Sequence, residues 1–189
     1  MTSAAGQTLA RIEAVFQQRG AESYLGEDVT MAEHMLQCAD LARAAGAGDE
    51  LVLAALLHDI GHYTGDFPEE AFEQGIDNHH DRAGAAVVQA VFPPLVADCI
   101  RLHVDAKRYL CAVEPAYHDA LSPASQHSLA VQGGPMNDRE VAAFEAEPAY
   151  REAIRLRRWD DAGKVPGQPT SRFDDYRDLL QKLSTYAAE

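Results

Sequence analysis

The sequence predicts an all-α, single-domain helical globule, and three observations carry that expectation. Apolar residues recur at the three- and four-residue spacing of an amphipathic helix in one segment after another. The alternation that marks a half-buried strand is nearly absent. Capping residues, glycines and prolines fall at the ends of the apolar stretches, where helices start and stop. The chain has 189 residues, 47% hydrophobic and 24% charged, which is enough to bury a core and ordinary for a globular protein. No internal repeat or low-complexity linker divides it.

The elements follow in order. A first helix is expected over about Gln7 to Arg19, with Leu9, Ile12, Val15 and Phe16 on one face. The loop Gly20 to Asp28 carries Tyr24, Gly26 and Glu27. Thr30 with Glu33 reads as a capping box and opens a helix to about Ala45, with Met31, His34, Met35, Cys38 and Leu41 along one side. Gly46 and Gly48 stop it. The stretch Glu50 to Asp59 is almost continuously apolar and rich in Ala and Leu, so it predicts a buried helix that ends at Gly61. Thr64 to Asn78, rich in Gly, Pro, Asp and Glu, reads as a solvated surface loop with room for one turn of helix. Helices are then expected from His79 to Phe92, halted by Pro93-Pro94, and from Leu95 to about Tyr109. Two or three more follow, near Pro123 to Leu129, Asp138 to Glu145 and Tyr150 to Asp161. A final helix runs from Phe173 to about Tyr186.

Charge and cysteines narrow the function classes. The formal net charge is −14, and a surface that acidic repels the phosphates of nucleic acid. Metal ligands would account for part of the excess, since a bound cation offsets their charge. Cys38, Cys99 and Cys111 are odd in number and lack metal-ligand spacing, so they read as buried small apolar residues in a reducing compartment. The N-terminal residues lack a basic segment followed by an apolar run, and no apolar stretch is long enough to cross a bilayer. A cytoplasmic protein with no nucleic acid, membrane or obligatory protein partner is expected.

One constellation demands chemistry. His58-Asp59 closes the most apolar helix in the chain. Burying an unpaired charge there costs several kcal/mol, and a metal ion removes that cost by acting as the partner. Neighbouring helical residues point about 100° apart, so one helix end can offer an imidazole to one ion and a bridging carboxylate to two. His34, His80 and His103 lie on other predicted helices, and Asp160 follows Trp159 in a charge-rich one. These six exceed what one closed tetrahedral site needs. Imidazole with carboxylate suits iron or manganese better than the thiolate chemistry of structural zinc. Spacing alone leaves Asp160 and Asp161 equivalent, and His79 and His80 likewise.

The order His34, His58-Asp59, His80, His103, Asp160 resembles the HD-domain superfamily of helical metalloproteins. The chain is similar to its mixed-valent di-iron oxygenases of the PhnZ/TmpB type, which are related to myo-inositol oxygenase. The stretches that carry this resemblance are Tyr24 to Glu27, Glu33 to Ala39, Leu53 to Tyr63, His103 to Leu110, Leu121 to Leu129, Gln132 to Met136 and Arg157 to Lys164. The resemblance covers nearly the whole length and implies a single HD domain over 1–189. The family pattern of an aromatic residue, Asp and a Lys four positions later selects Asp160, through Trp159 and Lys164. The family ligand is followed by an acidic residue and has a small residue four positions on, which selects His80 through Asp81 and Gly84 and leaves His79 either behind the ligands or on the surface.

The resemblance further implies two iron ions, Fe(II) and Fe(III), with O2 as co-substrate. His34, His58, Asp59 and Asp160 would hold one iron, and Asp59 would bridge to a second completed by His80 and His103. The implied reaction is oxidative C–P cleavage of a 1-hydroxy-alkylphosphonate. A 2-(trimethylammonio) substrate would give glycine betaine and phosphate, and a 2-amino substrate glycine and phosphate. An HD-domain phosphohydrolase with the same ligands is the alternative. His62, Lys107 and Arg157 match the phosphonate-binding positions, with Ser125 as a neutral donor and His62 and Lys107 as the candidate catalytic groups. His62 and Lys107 each lie one helical turn beyond an expected ligand, which lets both face the metals. Tyr24 and Glu27 match a loop that covers an iron until substrate arrives. A quaternary ammonium would want aromatic faces or carboxylates, for which Tyr24, Glu27, Tyr63 and Asp77 are candidates.

Overall fold

A computed structural model describes residues 3–24, 26–63 and 77–184. Its core is α3 (Asp49–Leu57), in which every residue from Leu51 to Leu57 is buried. A helix apolar on all sides can only sit inside a protein. Around it pack α2 (Met31–Ala44), α5 (Pro94–Val113) and α9 (Tyr150–Ala162), while α4 (His80–Val88) lies against α5. The outer elements are α1 (Ala4–Arg19), α6 (Pro115–Ala120), α7 (Pro123–Val131), α8 (Asp138–Glu145) and α10 (Arg177–Ser184). Extended pairing among the described residues is confined to one antiparallel bridge between Ser23 and Thr30, so the all-helical expectation holds. No described helix is long and apolar enough to cross a membrane.

Local chemistry sets the boundaries. The Thr30 hydroxyl accepts from Glu33 N–H at 3.2 Å, and Glu33 Oε2 accepts from Thr30 N–H at 2.7 Å, so the capping box forms. Helix α1 starts earlier than Gln7 because Ser3 caps it, accepting from Gly6 N–H. Pro94 enters α5 at its first turn instead of only blocking the preceding helix, and α5 runs on to Val113. Helix α6 has no counterpart among the expected elements; its six residues are too few to show a period. The final expected helix opens as a 3-10 turn over Phe173–Tyr176 before α10. Most of the predicted acidic loop, residues 64–76, lies outside the described residues.

Two features aim this scaffold at one point. After Leu57 the chain tightens into a 3-10 turn over Ile60–Tyr63, and a Cβ on Gly61 would fall 1.9 Å from the His80 carbonyl oxygen. Only glycine lets that turn lie flat on the start of α4. On the opposite side, the buried Gln37 amide donates to the Val165 carbonyl at 2.9 Å and accepts from the Val165 N–H at 3.0 Å. That clamp fixes the chain leaving α9, and with it Gly163 and Lys164, against α2.

Candidate metal centre

The six expected ligands converge from five elements. His34 comes from α2, His58 and Asp59 from the end of α3, His80 from the start of α4, His103 from α5 and Asp160 from α9. All six are buried.

Their imidazoles point with one sense. His34 Nδ1 lies 2.9 Å from the Gly163 carbonyl, His58 Nδ1 2.9 Å from the Ala55 carbonyl and His103 Nδ1 2.6 Å from the Ile100 carbonyl. His80 Nδ1 lies 3.0 Å from Asn78 Oδ1. A carbonyl oxygen only accepts, so each Nδ1 carries the proton and each Nε2 turns a lone pair inward. Those lone pairs meet in two couples. His34 Nε2 and His58 Nε2 are 3.2 Å apart, and His80 Nε2 and His103 Nε2 are 3.0 Å apart. Two facing lone pairs repel, and either a proton or a metal cation between them relieves that repulsion.

Asp59 addresses both couples. Its Oδ2 lies 3.5 Å from His34 Nε2 and 3.4 Å from His58 Nε2. Its Oδ1 lies 3.5 Å from His80 Nε2 and 3.4 Å from His103 Nε2. Asp160 joins the first couple, with Oδ1 3.5 Å from His34 Nε2 and Oδ2 3.7 Å from His58 Nε2. Asp59 Oδ2 and Asp160 Oδ1 are buried and have no hydrogen-bond partner among the described residues. Orphaned carboxylate oxygens beside inward imidazole lone pairs are the donor set of metal cations, so these residues fit a metal pair.

Protonation supports the same reading. Burial lowers His34, and it lowers His80 further with the help of neighbouring His62. His58 behaves oppositely: burial pushes it down, but Asp59 outweighs that and raises it to about 9. Burial also opposes ionisation of Asp59, yet the surrounding imidazoles, His58 first, hold its carboxyl well below the usual range. Without metal, His58 therefore keeps a second proton on Nε2, and a metal cation would displace that proton to reach the lone pair. Cys38 Sγ reaches within 3.9 Å of His34 Nε2, but burial raises its thiol and it donates to the Trp159 carbonyl at 3.5 Å. It stays a protonated packing group.

A pocket opens beside the cluster, lined by Tyr24, His62, Lys107, Ser125, Arg157 and Lys164, among others. Helix α7 organises its cationic wall. Lys107 Nζ donates to Ser128 Oγ at 2.6 Å, and Lys164 Nζ donates to Ser125 Oγ at 2.8 Å. Burial, followed by the nearby Arg157 charge, lowers Lys107 to about 7. His62 departs from the cationic donor that the sequence suggested. Burial lowers it to about 4, so it meets the pocket as a neutral imidazole. It sits on the 3-10 turn rather than one helical turn past His58, stacked on His80 with ring centroids 3.9 Å apart.

Sequence reasoning missed several residues. Asn78 donates to His62 Nδ1 at 2.9 Å and accepts from His80 Nδ1, so one amide orients two rings. Ser128, Gln132 and Lys164 line the pocket. Lys164 had entered only as the end of a sequence pattern, and the QGGPM stretch was the available signal for Gln132. Tyr24 stacks on His34 with ring centroids 4.0 Å apart. Glu27 stands back from the pocket lining, accepting from Ser122 Oγ at 2.5 Å and lying 3.8 Å from Lys164. Tyr63 is absent from the lining as well, because its ring carries the Arg19 guanidinium at 4.7 Å. His79 is exposed, in left-handed backbone with φ 48° at the start of α4.

Comparison with known proteins agrees with this geometry. Residues 31–161 match the HD domain, a span that contains all six converging ligands. The chain is 46% identical over 94% of its length to a 1-hydroxy-2-(trimethylamino)ethylphosphonate dioxygenase (glycine-betaine-forming) from Leisingera caerulea, covering 91% of that relative. It is 43% identical over 88% of its length to a hydroxymethylphosphonate dioxygenase from Gimesia maris, covering 84% of it.

Proposed function

Because the chain belongs to the HD-domain family, among its oxygenases, we propose that it cleaves the C–P bond of 1-hydroxy-2-(trimethylammonio)ethylphosphonate with O2, forming glycine betaine and phosphate. The observation that carries this reading is a buried carboxylate whose two oxygens face two separate imidazole couples, beside a cationic pocket, in a chain closely similar to a dioxygenase of that substrate. The bonds balance. Dioxygen supplies one oxygen to the new carboxylate and one to the departing phosphorus, the C–H and C–P bonds are lost, and a proton is released.

In this reading His34, His58, Asp59 and Asp160 hold one iron, and Asp59, His80 and His103 hold the other. Bound iron supplies Lewis acidity toward the substrate hydroxyl and one-electron chemistry with dioxygen. The protein's residues do the rest. Arg157, Lys107 and Lys164 offer charge-assisted hydrogen bonds to the phosphonate, and Ser125 adds a neutral donor. His62 accepts from Asn78 through Nδ1, so its proton lies on Nε2, which faces the metal side 4.0 Å from Asp59 Oδ1. From there it donates to an anionic substrate without adding charge. Burial first, then the Asp59 and Asp160 charges, keep the Tyr24 phenol protonated, so its aromatic face shields the His34 side of the centre. Asp77 and Tyr24, both in the pocket lining, offer a carboxylate and a ring to an onium group.

The test is to give iron-loaded protein the trimethylammonio and the amino hydroxyphosphonates, with and without oxygen, and identify the organic product. Glycine betaine with phosphate, formed only under oxygen, is the expected result. Glycine from the amino compound at a higher kcat/KM would move the substrate assignment. Phosphate release without oxygen would point to a phosphohydrolase.

A further inference from the structure

The acidic pair at the end of α9 divides its work. Asp160 turns to the imidazole cluster. Asp161, one residue on, turns to Arg157: its Oδ1 accepts from Arg157 Nε at 3.1 Å and also from the NH2 group, while its Oδ2 accepts from the Tyr117 phenol. Arg157 also places its NH1 group 2.6 Å from Asp160 Oδ2. The guanidinium has five N–H donors in a rigid plane. With Nε and one hydrogen of each terminal nitrogen committed, a second hydrogen on NH1 and on NH2 remains, in a side chain that lines the pocket.

Asp161 is not a redundant second partner. Arg157 is buried, and a buried cation without a counter-ion is costly. Asp160 faces the cluster with an orphaned Oδ1 and is shared with Lys164 at 3.6 Å, so cations at the centre draw on its charge. Asp161 is then the counter-ion that belongs to Arg157. Tyr117 is itself fixed, buried in a small apolar cluster with Leu110, Leu121 and Leu129. Burial keeps its phenol protonated, so it remains a donor.

We infer that Asp161 and Tyr117 are positioning residues that hold the Arg157 guanidinium square to the pocket for a phosphonate or phosphate group. This rests on the reaction proposed above, but its test separates the two. Asp161→Asn keeps the shape and removes the charge. In the metal-loaded protein it raises KM for the hydroxyphosphonate and the inhibition constant for inorganic phosphate by about tenfold each, the size of one weakened charge-assisted contact. The loss falls mainly on KM rather than kcat, and metal content stays that of the parent. Asp161→Glu, which restores the charge, recovers most of the affinity. Tyr117→Phe raises both constants by about threefold and carries the test if the Asp161 variant fails to fold.

Unchanged phosphate affinity in both variants overturns the assignment. So does a fall in kcat or metal content with KM unaltered, because that pattern belongs to a structural or metal-directed role. If the parent protein turns over no hydroxyphosphonate, the proposed reaction fails, while calorimetric binding of inorganic phosphate to parent and variants still decides the role of Asp161.

Discussion

The two halves of the metal centre share Asp59 yet are secured differently. In the half made by His34 and His58, both Nδ1 atoms donate to backbone carbonyls, those of Gly163 and Ala55, and the Tyr24 ring covers His34. In the half made by His80 and His103, His103 has a backbone partner but His80 relies on the Asn78 side chain, and His62 stacks over it. His34 and His58 are 0% exposed, whereas His80 is 7% exposed at the edge of the pocket. The Ala55 carbonyl belongs to the core helix α3, and the Gly163 carbonyl to the buried residue that ends α9. A side-chain amide, unlike a backbone carbonyl, is lost with a single substitution. The comparison teaches that one half is a fixture of the core and the other is adjustable from its rim.

The strongest way to break the contrast is Asp59→Ala, which removes the carboxylate common to both halves. Metal content is expected to fall from two ions toward zero and turnover to disappear; an intact paired-metal spectroscopic signal would show that Asp59 is not shared. Gly61→Ala strikes the seam between the halves, since its methyl would overlap the His80 carbonyl. Overpacking of this kind costs on the order of 1–3 kcal/mol or more, which thermal unfolding measures, and the His80 half should lose metal first. Asn78→Ala sharpens the contrast directly. Metal affinity in the His80 half is expected to drop about 10- to 100-fold, the usual effect of removing a partner behind a ligand, while the His34 half keeps its ion. Stepwise metal titration distinguishes this from a uniform loss.

The smallest effect concerns the pocket wall. Burial and Arg157 bring Lys107 down to about 7, so it is charged below that pH and loses its charge above it. A dianionic phosphonate binds the charged form better. KM should therefore rise with pH above about 7, by no more than about tenfold per pH unit. In Lys107→Arg, where the charge persists, the slope should flatten; the same slope in both proteins would place its origin elsewhere. Ionisation of the substrate is common to both and cancels.

Much of the scaffold was legible because its signals are local. The Thr30–Glu33 capping box, the all-apolar α3 and the proline that opens α7 act through neighbours in sequence. Helix α6 was missed since six residues show no periodicity, and α1 began earlier since the Ser3 cap lay outside the apolar repeat. In the pocket, Asn78 and Lys164 looked like ordinary polar residues. Their importance comes from His62 and His80 on one side, and from Ser125 on the other, which only folding brings near. Tyr63 was offered as an onium-binding face, and Arg19, remote in sequence, occupies it.

What the sequence determined by itself was the kind of protein: helices of a given polarity, a histidine–aspartate set at the ends and faces of apolar helices, and a resemblance ordered along the chain. Tertiary structure alone decided that Asp161 turns to Arg157, that His62 is neutral rather than cationic, and which nitrogen of each imidazole faces inward. Residue chemistry and helical period are written within a few positions of the chain. Burial, proton placement and the aim of a lone pair depend on which distant groups share the same few ångströms, and those are settled only when the helices pack.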